Sequence, residues 1–514
     1  MKLAKSSQIK IIDNYAINTL SIPAEELMGR SGRATADAVR SYAESGKNVL
    51  ILAGKGNNGG DGYAAACLLQ NEYSVKIIDI FSAGQKTAEG KFYLEKYLSL
   101  GGKITNGNEL EIIKSLIDSA DVIIDSIFGT GFLGNPPESL APLANAVNSS
   151  SVIKIAVDVP LGINADEGSV NDIHIKADAT VALSYMKPGL LSYPAKDFCG
   201  KIIHDTIGLP LDKIEEAIPF TNYLFDLEEA IRVLPERAEN TSKGSFGKTL
   251  LITGSKEYPG AGLLALESAL RGGAGYVTQV IEKELYDTYL LKFPEALYQQ
   301  NLIVDGECDI EKICALSAKN SATLIGSGSH QGASLASLTE ALIKTEGGPL
   351  IIDASAINSL AEHSSPEVLR KAKRPIILTP HPLEFSRISG ISVKEIQSNR
   401  IASAKNFARE FGITLLLKGA ATIITDGDSL YINSSGSSAL AKAGSGDVLA
   451  GLLASILSYH NNPLEATALA AYIHGSAGDS LAEASSTFSV TPSDLPSEIA
   501  KALGKIENAK RRIQ

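Results

Sequence analysis

The segment NVLILAGKGNNGGDGYAAACLLQ, residues 48–70, sets an apolar run, a glycine-rich turn and an alanine-rich stretch in immediate succession. Asn48 to Ala53 reads as a buried strand, Gly54 to Gly62 as the turn and Tyr63 to Gln70 as helix. A strand feeding through glycines into a helix is the first half of a βαβ unit, whose helix carries the chain back to a parallel neighbour. Val75 to Phe81, Ala120 to Ile127, Val152 to Val157 and Ala179 to Leu183 continue the pattern, with helix-like stretches between them. The first half of the chain is therefore read as α/β with a parallel sheet.

A second series starts at Thr249 to Thr253 and continues through Gly275 to Val280, Ala322 to Ile325, Leu350 to Asp353, Pro375 to Leu378 and Ile413 to Lys418, ending in a long helical tail. Gly208 to Asn222, between the series, carries prolines and charges without a strand pattern, which places the domain boundary there. Two domains are expected, over residues 1–212 and 223–510. A chain of 514 residues exceeds what one core organises, and two large α/β domains satisfy that length. No short-period repeat or low-complexity tract interrupts them.

Apolar residues at 44% and charged residues at 20% describe an ordinary globular protein. A net charge of -11 without a long Lys/Arg run argues against nucleic acid or an anionic membrane as partner, and the bases of Lys501 to Gln514 read as a solvated helix end. Cys67, Cys199, Cys308 and Cys314 form no C-x-x-C and no disulfide framework, which fits a reducing cytoplasm. The N-terminus lacks the apolar core of a signal peptide, and no stretch of about 18 apolar residues could span a bilayer.

Chemistry concentrates at strand ends. Gly54, Gly56 and Gly59 satisfy G-x-G-x-x-G, and helix-terminal N–H groups there favour phosphate oxygens, with Asp79 where a dinucleotide enzyme holds a ribose. Asn57, Asn58 and Asp61 add donors and acceptors that a turn does not need. Asp125, Asp158 and Lys187 also sit at strand ends, where a parallel sheet builds its ligand crevice; helix capping is the competing reading of each. In the second series, Gly444-Ser445-Gly446-Asp447 opens an apolar helix, so backbone N–H groups and the helix dipole face an anion. Lys418-Gly419-Ala420-Ala421-Thr422, Thr379-Pro380-His381, Gly326-Ser327-Gly328 and Pro259-Gly260-Ala261-Gly262 end other strands of the same crevice.

GNNGGDG, Asp125-Ser-Ile-Phe-Gly-Thr-Gly131 and Asp158-Val-Pro160 resemble the N-terminal domain of the YjeF family, the NAD(P)H-hydrate epimerases, over about Met1 to Leu209. The resemblance implies a Rossmann-like three-layer αβα domain. It implies that Asn57, Asn58, Gly59, Gly60 and Asp61, with Gly129, Thr130, Gly131, Phe132, Leu133, Gly134 and Asn135, contact the hydrated nucleotide, while Asp158 lies near the reacting ring. It also implies potassium ligated by Asn58 and Asp125. The family's Asp-x-Pro-Ser-Gly reads Leu161 at the serine here, so a side-chain ligand is missing and the backbone carbonyl or a water replaces it. Interconverting the epimers at C6 of the ring needs an acid and a base, for which Asp158 and Lys187 are the candidates.

From about Tyr223 onward the motifs resemble the ribokinase-like α/β domain of YjeF proteins, the ADP-dependent NAD(P)H-hydrate dehydratases. This implies that Ala261, Gly328, His381 and Asp447 contact the hydrated nucleotide, while Lys418, Gly419, Ala420, Ala421, Thr422 and Gly446 contact the adenosine phosphate. Phosphorylation of the C6 hydroxyl by ADP, with Mg2+ neutralising phosphate charge and Asp447 accepting the hydroxyl proton, would precede elimination to NAD(P)H, AMP and phosphate. The expected partners are NADHX or NADPHX and ADP, in a homo-oligomer. A hydroxyl kinase would use the same Gly-x-Gly-Asp device and a dehydrogenase the same glycine fingerprint; a catalytically silent N-terminal domain would act as a binding module.

Overall fold

Strand Asn48–Ala53 is buried from Val49 to Ala53, as its unbroken apolar run requires of a central parallel strand with both faces covered. The computed structural model describes residues 1–81, 84–107, 110–132 and 134–513, which divide into one unit of Lys2–Asn222 and another of Tyr223–Gln514 with Met1.

In the first unit the sheet order is Ile104–Asn106, Ser74–Asp79, Asn48–Ala53, Val122–Ser126, Ile153–Val157, Ala179–Leu183 and Lys201–Asp205, all parallel. From Asn48–Ala53 the chain builds outward in one direction, then returns to lay Val122–Ser126 on the other side. Loops leaving these two strands therefore diverge, and a crevice opens between them at the carboxyl edge. Helices cover the faces, giving the expected Rossmann-like αβα arrangement.

One helix begins earlier than propensity predicts. It spans Asn57–Leu69, so Gly59, Gly60 and Gly62 lie inside it and only Gly54 to Gly56 remain as the turn before it. Three interior glycines forfeit about 1 kcal/mol each against alanine, and packing repays them. A Cβ on Gly59 would stand 2.0 Å from the Gly54 carbonyl oxygen, so only glycine lets the helix start so close to the strand it follows.

In the second unit the parallel order is Leu297–Gln299, Tyr276–Val280, Lys248–Ile252, Ala322–Ile325, Leu350–Ile352, Ile376–Leu378 and Thr414–Leu417. Ile423–Thr425 and Leu430–Asn433 then extend it antiparallel. Lys418 to Thr422 is consequently a hairpin loop. Helices Pro259–Arg271, Ser445–Leu457, Pro463–Ala484 and Leu495–Ile513 contribute most of the helical share of the core. The bases at the chain's end ride on the last of these, whose Leu495, Ile499, Ala502 and Ile506 are buried. The strands that the sequence pattern omits are short edge or hairpin strands such as Ile104–Asn106 and Lys201–Asp205, where one-sided burial permits polar residues.

Gly59→Ala should destabilise the first unit by about 1–3 kcal/mol, the usual cost of overpacking. Faster hydrogen exchange at the Asn48–Ala53 amides checks it; unchanged exchange would mean that the close approach to Gly54 is not tight.

Candidate active sites

At the switch point of the first unit, the Gly54 N–H donates to the Ser126 carbonyl at 3.0 Å, which ties the two diverging loops at their roots. Above them a cavity of about 560 Å³ is lined by Asn57, Asn58, Asp61, Gly129 to Phe132, Asp158 and Lys187, together with Asp13, Lys55 and Phe128. Phe128 and Phe132 stack at 3.9 Å between centroids and 6° between planes, presenting aromatic surface on one wall.

Asp158 has φ +65, a left-handed conformation that a non-glycine residue holds only where its surroundings enforce it. Its N–H donates to Val181 O at 2.8 Å, and its Oδ2 accepts from the Thr130 N–H at 3.0 Å. Its Oδ1 accepts from Lys187 Nζ, whose side chain is 1% exposed and also donates to the Leu183 carbonyl. The two candidate groups thus form one buried ion pair on the cavity wall.

Asp125 lies beneath. Its Oδ1 accepts from Ile127 N at 3.2 Å and its Oδ2 from Leu161 N at 2.7 Å, while burial pushes its pKa up to about 6 against those bonds. The Leu161 side chain belongs to the apolar core, and its carbonyl accepts from Ile175 N at 3.0 Å, so this residue holds Asp125 through its N–H. Asn58 is buried with both carboxamide atoms unpartnered. A Cβ on Gly129 would stand 3.2 Å from Asn58 Oδ1 and 3.0 Å from Asp158 Oδ2, which locates that open carboxamide beside the carboxylate. Gly59 and Gly60 are buried under the helix start and do not line the cavity; Gly134 and Asn135 are exposed beyond it, and Leu133 lies outside the described residues. Asp79 pairs with Lys86 at 2.7 Å and is not part of the cavity.

In the second unit the corresponding switch point lies between Lys248–Ile252 and Ala322–Ile325. The Gly254 N–H donates to Ser327 O at 2.8 Å, and a Cβ on Gly328 would stand 2.5 Å from the Ala261 Cβ, so Ala261 and Gly328 meet there. The polar centre is Asp353, which sequence reasoning missed although it closes a strand as Asp125 and Asp158 do. It is 1% exposed and accepts from Lys418 Nζ, Thr379 Oγ1 and Ser327 Oγ, each at 2.7 Å.

Helix Ser445–Leu457 starts from Gly444 at φ +100, a conformation that leaves the first N–H groups uncapped by any side chain. Gly446 abuts Lys418, whose Nζ would stand 3.3 Å from a Cβ there. Burial raises the Asp447 pKa to about 7, and the Asp353 and Glu384 charges add to it while Lys418 opposes. Burial opposes charge on Lys418 in turn, but Asp353, Glu384 and Asp447 outweigh it and its pKa rises. One lysine therefore serves three carboxylates.

His381 caps helix Pro382–Ser389: its Nδ1 accepts from the N–H groups of Leu383 at 3.1 Å and Glu384 at 3.3 Å. Its Nε2 lies 3.3 Å from Glu384 Oε1, and the ring is half exposed. Thr422 Oγ1 donates to Gly419 O at 2.9 Å, and Ala421 has φ +52, which shape the hairpin carrying Gly419 and Ala420. Buried His474, also missed, contacts Ser445 Oγ through Nε2 at 3.2 Å and has its pKa depressed to about 4 by desolvation. Nothing in its apolar helical setting marked it.

A model of the YjeF-related protein N-terminus matches residues 24–189, and a model of NAD(P)H-hydrate dehydratase matches residues 249–501. A bifunctional NAD(P)H-hydrate repair enzyme of Moorella thermoacetica is 31% identical over 99% of this chain and 97% of its own. The chain belongs to this family of bifunctional repair enzymes. A second member, from Escherichia coli, is 31% identical over 95% of this chain and 91% of its own. A solved Streptococcus mutans protein of unassigned function is 25% identical, with TM-score 0.50 over 55% of this chain and 100% of that one. The second unit has the α/β fold with a parallel sheet expected from its motifs, and shares it with that protein. Each family model falls within one unit, and no described helix is long and apolar enough to cross a membrane.

The shifted Asp447 has a consequence for stability. The folded chain holds this proton up to about pH 7, whereas an unfolded Asp titrates near 3.8, so stability falls as pH rises between these values and stays lowered above them. Asp447→Asn should therefore stabilise the second unit above pH 7 by on the order of 2–4 kcal/mol, the difference vanishing toward pH 4. Denaturant unfolding at both pH values checks the sign.

Proposed function

We propose that the chain repairs hydrated nicotinamide dinucleotides, its first unit interconverting the R and S epimers of NADHX and NADPHX and its second dehydrating the S epimer at the expense of ADP. Family membership across both units supports the pairing. The observation that carries the second activity is Asp447: a carboxyl with pKa near 7, in the first turn of a helix with free N–H groups, is matched to accept the hydroxyl proton during phosphoryl transfer. The N–H groups of Gly444, Gly446 and Asp447 would hold the phosphoryl oxygens, that of Ser445 being bonded to the Lys442 carbonyl, and Lys418 would add positive charge beside them. His381, Ala261 and Gly328 would then face the nicotinamide half, and the hairpin from Lys418 to Thr422 the adenosine.

Among the described residues no group of three acidic, His or Cys side chains forms a metal cage. Magnesium, which is carried largely by nucleotide phosphates with one or two carboxylates, would here neutralise phosphate charge. In the first unit, the unpartnered oxygen of Asn58 and the buried carboxylate of Asp125 fit a potassium ion, which would offset the carboxylate charge gathered there. Asp158 and Lys187 would bind and polarise the ring from the cavity wall. The four free cysteines suit a reducing cytoplasm, and self-association is expected from the family resemblance.

Supplying each epimer separately with ADP, magnesium and potassium tests the assignment through reduced-nicotinamide absorbance. Asp447→Asn should abolish recovery from both epimers, whereas Asp158→Asn should abolish accelerated recovery from the R epimer alone. Accumulation of a stable phosphorylated product would instead make the second unit a hydroxyl kinase.

A further inference from the structure

The ion pair on the first cavity's wall is well built to hold charge, and its carboxylate is poorly placed to take a proton from a ligand. Both Asp158 oxygens already accept hydrogen bonds, one from the Lys187 ammonium and one from the Thr130 amide. Two of the three Lys187 donors are committed, to Asp158 and to the Leu183 carbonyl. The third is left for whatever occupies the cavity, so Lys187 can donate to a ligand; neither group is a free base.

Asp13 has the missing properties. It stands on helix Ser6–Asn18, lines the same cavity and is only partly buried. No hydrogen bond or ion pair among the described residues engages its carboxyl, which interacts at longer range with Asp158 and Lys187. Burial, and then the Asp158 charge, push its pKa up to about 6, while Lys187 pulls the other way. The other charged groups lining the cavity are Lys10 from the same helix, Lys55, Asp61 and Glu89. Asp61 is the more deeply buried carboxyl, held toward its neutral form by desolvation and by its acidic neighbours, Asp158 before Asp13. The environment thus separates two roles among the carboxylates: both Asp158 oxygens are taken up by protein donors, whereas the Asp13 carboxyl has none among the described residues.

We propose that Asp13 is the acid–base residue of the epimerisation, taking the C6 hydroxyl proton when the hydrated ring opens and returning it when the ring closes on the opposite face. The proposal rests on the epimerase assignment above. In the opening step, Asp13 accepts the hydroxyl proton, the C6–O bond becomes a carbonyl and the C6–N1 bond breaks. Its electron pair stays on N1, which gains a proton from the Lys187 ammonium. Rotation exposes the other face of the aldehyde. Closure then runs the same transfers backwards, N1 attacking C6, Lys187 recovering its proton and Asp13 returning the other to oxygen. No atom is gained or lost and no oxidant or reductant is needed. Asp158 acts in this scheme by orienting Lys187.

The full-length chain, purified R epimer and a pH series test it. The epimerisation kcat should rise with pH through about 6 as Asp13 ionises. Asp13→Asn should lower kcat by about 10²- to 10⁴-fold with KM little changed, the range for loss of an acid–base group. Asp13→Glu should restore part of the rate and displace the pH limb, an outcome that a purely structural role would not produce. Hydrogen exchange at the Asn48–Ala53 amides reports whether the variants keep the fold. Wild-type kcat with an unmoved limb in Asp13→Asn would overturn the proposal while leaving the epimerase assignment standing. A wild-type chain that dehydrates the S epimer yet leaves the R epimer at its uncatalysed rate would overturn both.

Discussion

Charge buried at the carboxyl edge of a parallel sheet has to be compensated inside the protein, because desolvating an ion costs several kcal/mol even after relaxation. Each unit meets that demand with one lysine beside a strand-end aspartate: Lys187 with Asp158 in the first, Lys418 with Asp353 in the second. The sheets make this geometry available. Strands that are apolar along their length deliver the chain to the edge, and the first residues beyond them lie where diverging loops leave room for a ligand. The lysine then permits aspartates to remain where the cavity needs them.

The compensation is incomplete, and function follows from the remainder. In the second unit one ammonium serves Asp353, Glu384 and Asp447, so the last of these is left holding a proton near neutrality. In the first unit Asp158 takes the close contact with Lys187, and Asp13 keeps a raised pKa at longer range. Residues of the same type thus meet different surroundings, Asp158 with both oxygens hydrogen-bonded and Asp13 raised by burial and by the neighbouring carboxylate. The same imbalance that prepares Asp447 for proton transfer costs stability above neutral pH, a trade common at active sites.

Glycine serves both edges differently. In the first unit, Gly59 lets a helix begin against the strand that precedes it, so the Asn57 and Asn58 side chains enter the cavity from a rigid element. In the second, Gly444 supplies a left-handed start that leaves helix N–H groups free for an anion. The fingerprint glycines of the first unit thus include packing residues as well as ligand-facing ones, which is why Gly59 and Gly60 are absent from the cavity wall.

The sequence by itself determined the α/β class, the central strands and the places where chemistry gathers, because period, β-branching and glycine punctuation are local properties. Asn58, Asp158, Lys187 and Asp447 were legible as strand-end or helix-start residues, and so was the division between the two series of strands. Edge strands such as Lys201–Asp205 were not, since one-sided burial leaves no unbroken apolar run. Only the tertiary structure decided that His381 caps a helix, that Lys418 to Thr422 forms a hairpin, that Leu161 holds Asp125 through its N–H, and that Asp353 collects three donors. Asp13 is the clearest case. It lies on an N-terminal helix far along the chain from Asp158 and Lys187, and its titration depends on how that helix folds back over the cavity they line. Desolvation and charge proximity are properties of positions in space, and no local pattern encodes them.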